Sequence, residues 1–148
     1  MIYFLIILFL IFLDLFSKNY IKKNYKLNEK KHIYKNLYIC HIKNEGMAYG
    51  LLKNFKNIIY VLICISLIFI IFMFYGAFKE NSKIKKLAFS FILAGALGNF
   101  IDRVKNKCVT DFIFIKYKKL PIFNLADIFL FISPIILIIK EIKTKGCR

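Results

Sequence analysis

Four long apolar runs constrain this chain more than any other feature of its sequence. One of them, residues 58–78, contains 21 residues without a charge. At about 1.5 Å per residue, such a helix spans the hydrocarbon layer of a bilayer, which is roughly 30 Å thick. The other runs cover 1–16, 87–101 and 122–139, and the four together make up nearly half of the 148 residues. They predict an all-α membrane protein, a single integral membrane domain over 1–148, with transmembrane helices at about 1–21, 57–78, 84–102 and 122–140.

The composition excludes several other classes of protein. Hydrophobic residues make up 59% of the chain and aromatic residues 18%, too much for intrinsic disorder. The net charge of +16 could suit nucleic acid, but 22 of the 24 basic residues are Lys spread through every loop. This spread indicates a compositional bias and attraction to anionic lipid headgroups, so we predict membrane lipid and no nucleic acid as a partner. The first run lacks a basic leader and a small-residue cleavage site, so we interpret it as a membrane helix rather than a cleaved signal peptide.

The charged residues of the loops indicate how the helices are oriented in the membrane. An even number of helices places both termini on one side, together with the loop 79–86, which has four Lys in eight residues. The positive-inside rule makes that side cytoplasmic, although the loops 17–57 and 103–119 are also basic and weaken the contrast. The first loop contains aromatic and β-branched residues at 38–42, with Gly46 and Gly50 beyond them. We predict a small β-platform in this extracytoplasmic loop, resting on the membrane surface.

The two types of acidic residue lie in different parts of the sequence. All four Glu lie in loops or the tail, whereas all four Asp lie in or beside the apolar runs. A charge at membrane depth costs a few kcal/mol and is a functional hypothesis by default. With four alternating passes, the four Asp fall at one membrane face. They are Asp14, Asp102, Asp111 and Asp127.

Polar neighbours reinforce the grouping of acids on the third helix. Asn99, Asp102 and Arg103 stand at i, i+3 and i+4, so they share one side of that helix. The planar guanidinium of Arg103 suits bidentate binding of carboxylate or carbonyl groups. A purely structural alternative remains open here, in which Asp102 and Arg103 pair to hold the helix end.

Structural alternatives also exist for the first and last helices. Asp14 and Lys18, at i and i+4, are explained by an interfacial ion pair that anchors the first helix. Asn124 could merely cap the fourth helix. Asp127 has no Lys three or four residues away to neutralise it, and Asp111 lies in the third loop, just beyond the predicted third helix. Two carboxylates in a partly dry site repel until they share a proton, which is the arrangement of aspartic proteases.

Cysteine and histidine give no sign of a metal or redox site. There is no C-x-x-C motif, and neither histidine has a partner at ligand spacing. We therefore predict no metal and no cofactor, and structural roles for these residues. They are Cys40, Cys64, Cys108, Cys147, His32 and His41.

Five short motifs, in order along the chain, resemble those of lipoprotein signal peptidase (signal peptidase II), and the resemblance covers essentially the whole length. They are Asp-Leu-Phe-Ser-Lys at 14–18, Asn-Glu-Gly-Met-Ala-Tyr at 44–49, Gly-Asn-Phe-Ile-Asp-Arg-Val at 98–104, Val-Thr-Asp-Phe-Ile at 109–113 and Phe-Asn-Leu-Ala-Asp at 123–127. Any one of them alone would be a weak signal. Five in the right order and on the right helices are a strong one.

The resemblance implies a membrane aspartic endopeptidase of the bacterial inner membrane. Such an enzyme would cut diacylglyceryl-modified prolipoproteins just before the lipidated cysteine, near the extracytoplasmic face. By that match Asp111 and Asp127 form the catalytic dyad. The substrate-binding or supporting residues would be Asn44, Asn99, Arg103, Asn124, Asp102, Asp14 and Lys18.

Two other functions compete with a protease. A small proton- or ion-coupled transporter also uses intramembrane Asp residues, but it needs them at mid-membrane or at both faces. A non-catalytic membrane scaffold predicts that Asp111 and Asp127 tolerate replacement by Asn. A monomer is the default expectation for any of the three.

Overall fold

The computed structural model describes residues 1–46, 56–117 and 120–146. Helices form at all four predicted apolar segments, and three strands lie between them. The helices are α1 Ile2–Asn24, α2 Lys56–Lys79, α3 Lys83–Asn106 and α4 Leu125–Gly146, and the strands are β1 Lys30–Tyr34, β2 Leu37–Asn44 and β3 Val109–Ile115.

Three of these helices are long and apolar enough to cross a membrane, within the described part of the chain. They are α1, residues 60–79 of α2, and α3. The helix α4 is 22 residues long, carries Asp127, Lys140 and Glu141, and is not one of these three. The fourth crossing therefore stays a prediction. Many large apolar side chains on the outer surfaces of α1 and α2 are exposed, as lipid-facing helices require.

The helix α3 is the centre of the bundle, because it packs against α1, α2 and α4. Small residues on α3 allow this close packing. A Cβ atom added to Gly95 would lie 2.6 Å from the Ala126 carbonyl oxygen of α4. A Cβ atom added to Gly98 would lie 2.5 Å from Asp14 Oδ2 of α1. The two glycines therefore set how closely α1 and α4 approach α3.

The three strands form one antiparallel sheet in the order β1-β2-β3. The strand predicted at 38–42 lies within β2, but β3 comes from the segment after α3. The β-platform predicted in the first loop is therefore present as β1 and β2, and β3 is a further strand that the sequence analysis did not predict. In residues 109–115, polar and apolar side chains alternate too little to predict a strand from the sequence. The segment forms a strand because it pairs with β2.

The start of α4 also differs from the prediction. The expected helix began at about 122, whereas α4 begins at Leu125. Phe123 instead pairs with Ile113 of β3, where each residue's N–H donates to the other's carbonyl oxygen at 2.8 and 3.0 Å. This short bridge places the first turn of α4 directly beside β3.

Candidate active site

The predicted site residues meet at one end of the bundle. The C-terminal halves of α1 and α3, the N-terminal turn of α4, and strands β2 and β3 all reach this end. Hydrogen bonds connect the four Asp residues to neighbouring elements there. The convergence that alternating passes predicted is present in the structure.

Asp111 lies on β3 and is buried, with 4% of its surface exposed. Asn44 Nδ2, from the end of β2, donates to Asp111 Oδ2 at 3.0 Å, and Asn124 Nδ2 donates to Asp111 Oδ1 at 2.7 Å. Burial raises the pKa of Asp111 to about 6, against the lowering effect of these two hydrogen bonds. The neighbouring Asp127 carboxylate also raises it. The Asp111 carboxyl group therefore holds a proton more readily than an ordinary Asp.

Asp127 occupies the first turn of α4. Its Oδ1 accepts from Asn99 Nδ2 at 2.9 Å, and its Oδ2 accepts from the backbone N–H of Asn124 at 3.1 Å. Asn124 Oδ1 in turn accepts from the backbone N–H of Asp127 at 3.1 Å, so Asn124 caps α4 as predicted. The same Asn124 side chain also contacts Asp111. It therefore joins the two carboxyl groups, which a simple capping role does not require.

Asn99 is held in one orientation by two donors. Its Oδ1 accepts from Lys18 Nζ at 2.9 Å and from Asn124 Nδ2 at 3.2 Å. With its oxygen occupied in this way, the Asn99 amide turns its NH₂ group to Asp127. Lys18 therefore reaches the Asp127 carboxylate through one intervening amide.

The pair of Asp14 and Lys18 forms as predicted, at 2.7 Å, but it is not interfacial. The two side chains are 0% and 1% exposed. Asp14 Oδ1 also accepts from the backbone N–H of Ala126 at 3.0 Å, which ties α1 to the start of α4. The pair lies inside the bundle because α3 presents Gly98 to it.

Asp102 pairs with a residue that the sequence analysis missed. Lys22 Nζ of α1 donates to Asp102 Oδ1 at 2.6 Å, so the alternative of a pair with the adjacent Arg103 is wrong. Asp102 Oδ2 accepts from the backbone N–H of Thr110 at 2.8 Å. One signal could have found Lys22, because it lies four residues after Lys18 and hence on the same face of α1.

Arg103 holds the segment that follows strand β2. Its Nη2 donates to the carbonyl oxygen of Gly46 at 3.1 Å, and the Tyr60 hydroxyl of α2 donates to the Arg103 carbonyl oxygen at 3.0 Å. Gly46 belongs to the motif at 44–49 that the sequence analysis quoted. Positions 47–49 of that motif, and Gly50, lie outside the described residues.

Asp111 and Asp127 line one cavity of about 290 Å³. A second cavity of about 460 Å³ adjoins it, because both are lined by Asn44, Asp111, Pro121 and Ile122. The remaining lining residues of the first cavity are Asn99, Arg103, Val109, Phe123 and Asp127. Two carboxyl groups, several amide donors and a guanidinium therefore face a single space large enough for a short stretch of peptide.

Cys40 and His41 lie in buried positions. Burial raises the pKa of the Cys40 thiol to about 11, so this thiol is not an active nucleophile. His41 is buried, and its Nδ1 lies 2.8 Å from the Tyr25 carbonyl oxygen. Over residues 1–46, 56–117 and 120–146, no group of three His, Cys, Asp or Glu side chains has the geometry of a metal site. Cys147 lies outside that part of the chain.

The chain is similar to known proteins in sequence and in structure. The family model described as Signal peptidase (SPase) II matches residues 6–143. A lipoprotein signal peptidase of Wigglesworthia glossinidia brevipalpis is 38% identical over 93% of this chain and 92% of its own length. A lipoprotein signal peptidase of Clostridium tetani is also 38% identical, over 96% of this chain and 93% of its own.

Two solved structures have the same fold. Both are described as bacterial membrane enzymes determined by the in meso method, one at 2.3 Å and one at 1.9 Å resolution. The first superposes with a TM-score of 0.86 at 32% identity, covering 99% of this chain and 90% of the other. The second gives a TM-score of 0.82 at 32% identity, covering 95% and 92%.

Proposed function

Because this chain belongs to the signal peptidase II family, we propose that it is an aspartic endopeptidase acting on lipid-modified prolipoproteins. In this proposal it removes the signal peptide by cutting just before the diacylglyceryl-modified cysteine. Asp111 and Asp127 form the catalytic dyad. One observation carries the proposal, namely that both carboxyl groups line the same cavity and share Asn124 as a hydrogen-bond partner.

The two carboxyl groups differ in a way that suits a divided role. The pKa of Asp111 is raised to about 6, so this carboxyl group holds a proton more readily than an ordinary Asp. Asp127 instead receives two N–H donors, from the Asn99 side chain and from the backbone of Asn124. We assign Asp127 as the general base and Asp111 as the general acid at rest.

The reaction then proceeds in two proton-balanced steps. Asp127 accepts a proton from a water molecule, whose oxygen attacks the scissile carbonyl carbon, while Asp111 gives its proton to the carbonyl oxygen. The resulting diol collapses when Asp127 passes its proton to the leaving nitrogen and Asp111 recovers one from the diol hydroxyl. The peptide C–N bond breaks, and one water is consumed. No metal or organic cofactor takes part in these steps.

The polar residues around the dyad have matching roles. Asn44 and Asn124 hold the Asp111 carboxyl group, and Asn99 holds that of Asp127. Arg103 lines the same cavity, and its guanidinium can bind carbonyl oxygens of the substrate near the dyad. The adjoining cavity of about 460 Å³ continues from the dyad and receives the peptide on one side of the cut.

The membrane setting follows from the helices. The exposed apolar faces of α1 and α2 contact lipid, and the dyad lies at one end of the bundle beside the sheet. We propose that α4 is the fourth crossing, that both termini are cytoplasmic and that the dyad lies near the extracytoplasmic face of the bacterial inner membrane. The diacylglycerol tails of the substrate then stay in lipid while the cleavage site reaches the cavity. The enzyme acts as a monomer.

The test uses the full chain, purified and reconstituted in lipid vesicles. A diacylglyceryl-modified precursor and its unmodified counterpart are incubated with the wild type and with Asp111→Asn, Asp127→Asn and Glu80→Gln. Glu80 is a matched control, because it is an exposed acid in the loop between α2 and α3. It pairs with Lys85 of α3. Mass spectrometry of the products locates the cut.

We expect cleavage of the modified precursor alone, at the bond before the lipidated cysteine, by the wild type and by Glu80→Gln. Activity persists in a metal chelator. Either dyad variant loses activity by at least about a thousandfold while its helical circular dichroism is unchanged. Normal turnover by Asp111→Asn or Asp127→Asn overturns the dyad, and equal cleavage of the unmodified precursor overturns the substrate class.

A further inference from the structure

One face of α1 carries Asp14, Lys18 and Lys22 at intervals of four residues. Lys18 Nζ lies 2.7 Å from Asp14 Oδ2 on the same helix, and Lys22 Nζ lies 2.6 Å from Asp102 Oδ1 on α3. Both carboxylates are buried, at 0% and 1% exposure. A buried carboxylate is stable only with a counter-charge and hydrogen bonds, and each lysine supplies the counter-charge.

Each of the two carboxylates uses its second oxygen for a backbone N–H on another element. Asp14 Oδ1 accepts from the N–H of Ala126, and Asp102 Oδ2 accepts from the N–H of Thr110, at 3.0 and 2.8 Å. Both of these donor residues immediately precede a dyad residue. The same contact therefore occurs twice, once on β3 and once at the start of α4.

We propose that the pairs Asp14–Lys18 and Asp102–Lys22 are positioning residues that fix the two dyad carboxyl groups relative to each other. Each pair anchors, to the same face of α1, the backbone N–H of the residue that precedes one dyad residue. Loss of an anchor lets that peptide group, and the carboxyl group after it, shift within the cavity. This inference rests on the proposed dyad, and it adds Lys22, which lies outside the motifs of the sequence.

Lys22 has the most exposed side chain of this set, so it is the member chosen for the test. The Asp14–Lys18 pair is fully buried, so removing one partner leaves an uncompensated charge inside the bundle. Lys22 is 25% exposed, and Asp102 keeps Asn106 and Thr110 as donors when Lys22 is replaced. Replacing Lys22 removes the counter-charge of the buried Asp102 carboxylate but leaves it two N–H donors, so the thermal midpoint of each variant is measured beside its kinetics.

The experiment compares Lys22→Met and Lys22→Arg with Lys23→Met, in vesicles and with the diacylglyceryl-modified precursor. Lys23 is the adjacent, exposed lysine of the same helix and controls for the lost positive charge. A shift of a few tenths of an ångström at the dyad lowers kcat by roughly tenfold. We expect that loss for Lys22→Met with KM changed less than twofold, recovery in Lys22→Arg, and wild-type values for Lys23→Met.

A double-mutant cycle then shows whether Lys22 acts through Asp102. If it does, Lys22→Met lowers kcat little further in an Asp102→Asn background. Full additivity in that cycle, or equal kcat for Lys22→Met and Lys23→Met, overturns the inference. Those results leave the dyad intact as long as Asp111→Asn is inactive. Activity in Asp111→Asn refutes the dyad itself, whatever the Lys22 variants do.

Discussion

The contact between α3 and α4 at Gly95 gives a sharp test of how the site is built. In Gly95→Ala the new Cβ would lie 2.6 Å from the Ala126 carbonyl oxygen and 2.9 Å from Leu130 Cγ. Ordinary van der Waals contact begins at 3.4 Å, so α4 must move away by up to about 0.8 Å. The oxygen belongs to the backbone, and no side-chain rotation can relieve the clash.

The displaced residue immediately precedes Asp127, and the movement lengthens the 2.9 Å hydrogen bond from Asn99 Nδ2 to Asp127 Oδ1. Overpacking of this kind costs about 1–3 kcal/mol of stability. A misplacement approaching 1 Å at a reacting group costs up to about a hundredfold in rate. We expect Gly95→Ala to lower kcat between about tenfold and a hundredfold and to lower the thermal midpoint.

Gly76→Ala is the matched control, because nothing lies within 4 Å of a Cβ added at Gly76 on α2. It makes the same chemical change in a helix and avoids the clash, and its intrinsic helix propensity improves by about 1 kcal/mol. The assay combines circular dichroism melting with cleavage of the modified precursor. If Gly95→Ala matches Gly76→Ala in both measurements, the reasoning about close packing at the site is refuted.

Two further predictions concern the polar groups of the site. Asn124→Ala removes the cap of α4 and the contact with Asp111. It should therefore lower the free energy of unfolding by about 1 kcal/mol and lower kcat by at least about a hundredfold. The control Ser82→Ala removes the cap of α3, which is remote from the cavity, so it should lower stability by a similar amount and keep full activity. Asp111 has a folded pKa raised from 3.8 to about 6, so the stability from its neutral form is complete below pH 3.8 and is lost as pH rises through 6. Asp111→Asn should therefore gain stability relative to the wild type by roughly 2–3 kcal/mol between about pH 4 and pH 7, and a difference independent of pH would contradict the raised pKa.

Much of the helical framework could be read from the sequence. Long uncharged runs can satisfy their backbone polar groups in lipid only as helices, so the four apolar segments predicted four helices. Alternating passes bring the end of one helix beside the start of the next. The four Asp were therefore expected at one end, and the structure places them there.

The sequence did not indicate which segments pair with each other. The strand β3 forms because the segment after α3 pairs with β2, and the pairing of Phe123 with Ile113 delays the start of α4. These pairings join residues far apart in the chain. The hydrophobic periodicity of one segment does not indicate which other segment it pairs with.

The apolar runs and the placement of the acids, taken alone, predicted a helical membrane protein with its four Asp side chains gathered at one end. The tertiary structure decided which donor each carboxyl group receives. Asp102 bonds to Lys22 rather than to the adjacent Arg103, and Asn124 contacts both Asp111 and Asp127. Such choices depend on how each helix is rotated and how closely it approaches α3. Those quantities follow from packing at a few small residues, which a pattern of charged and uncharged segments does not encode.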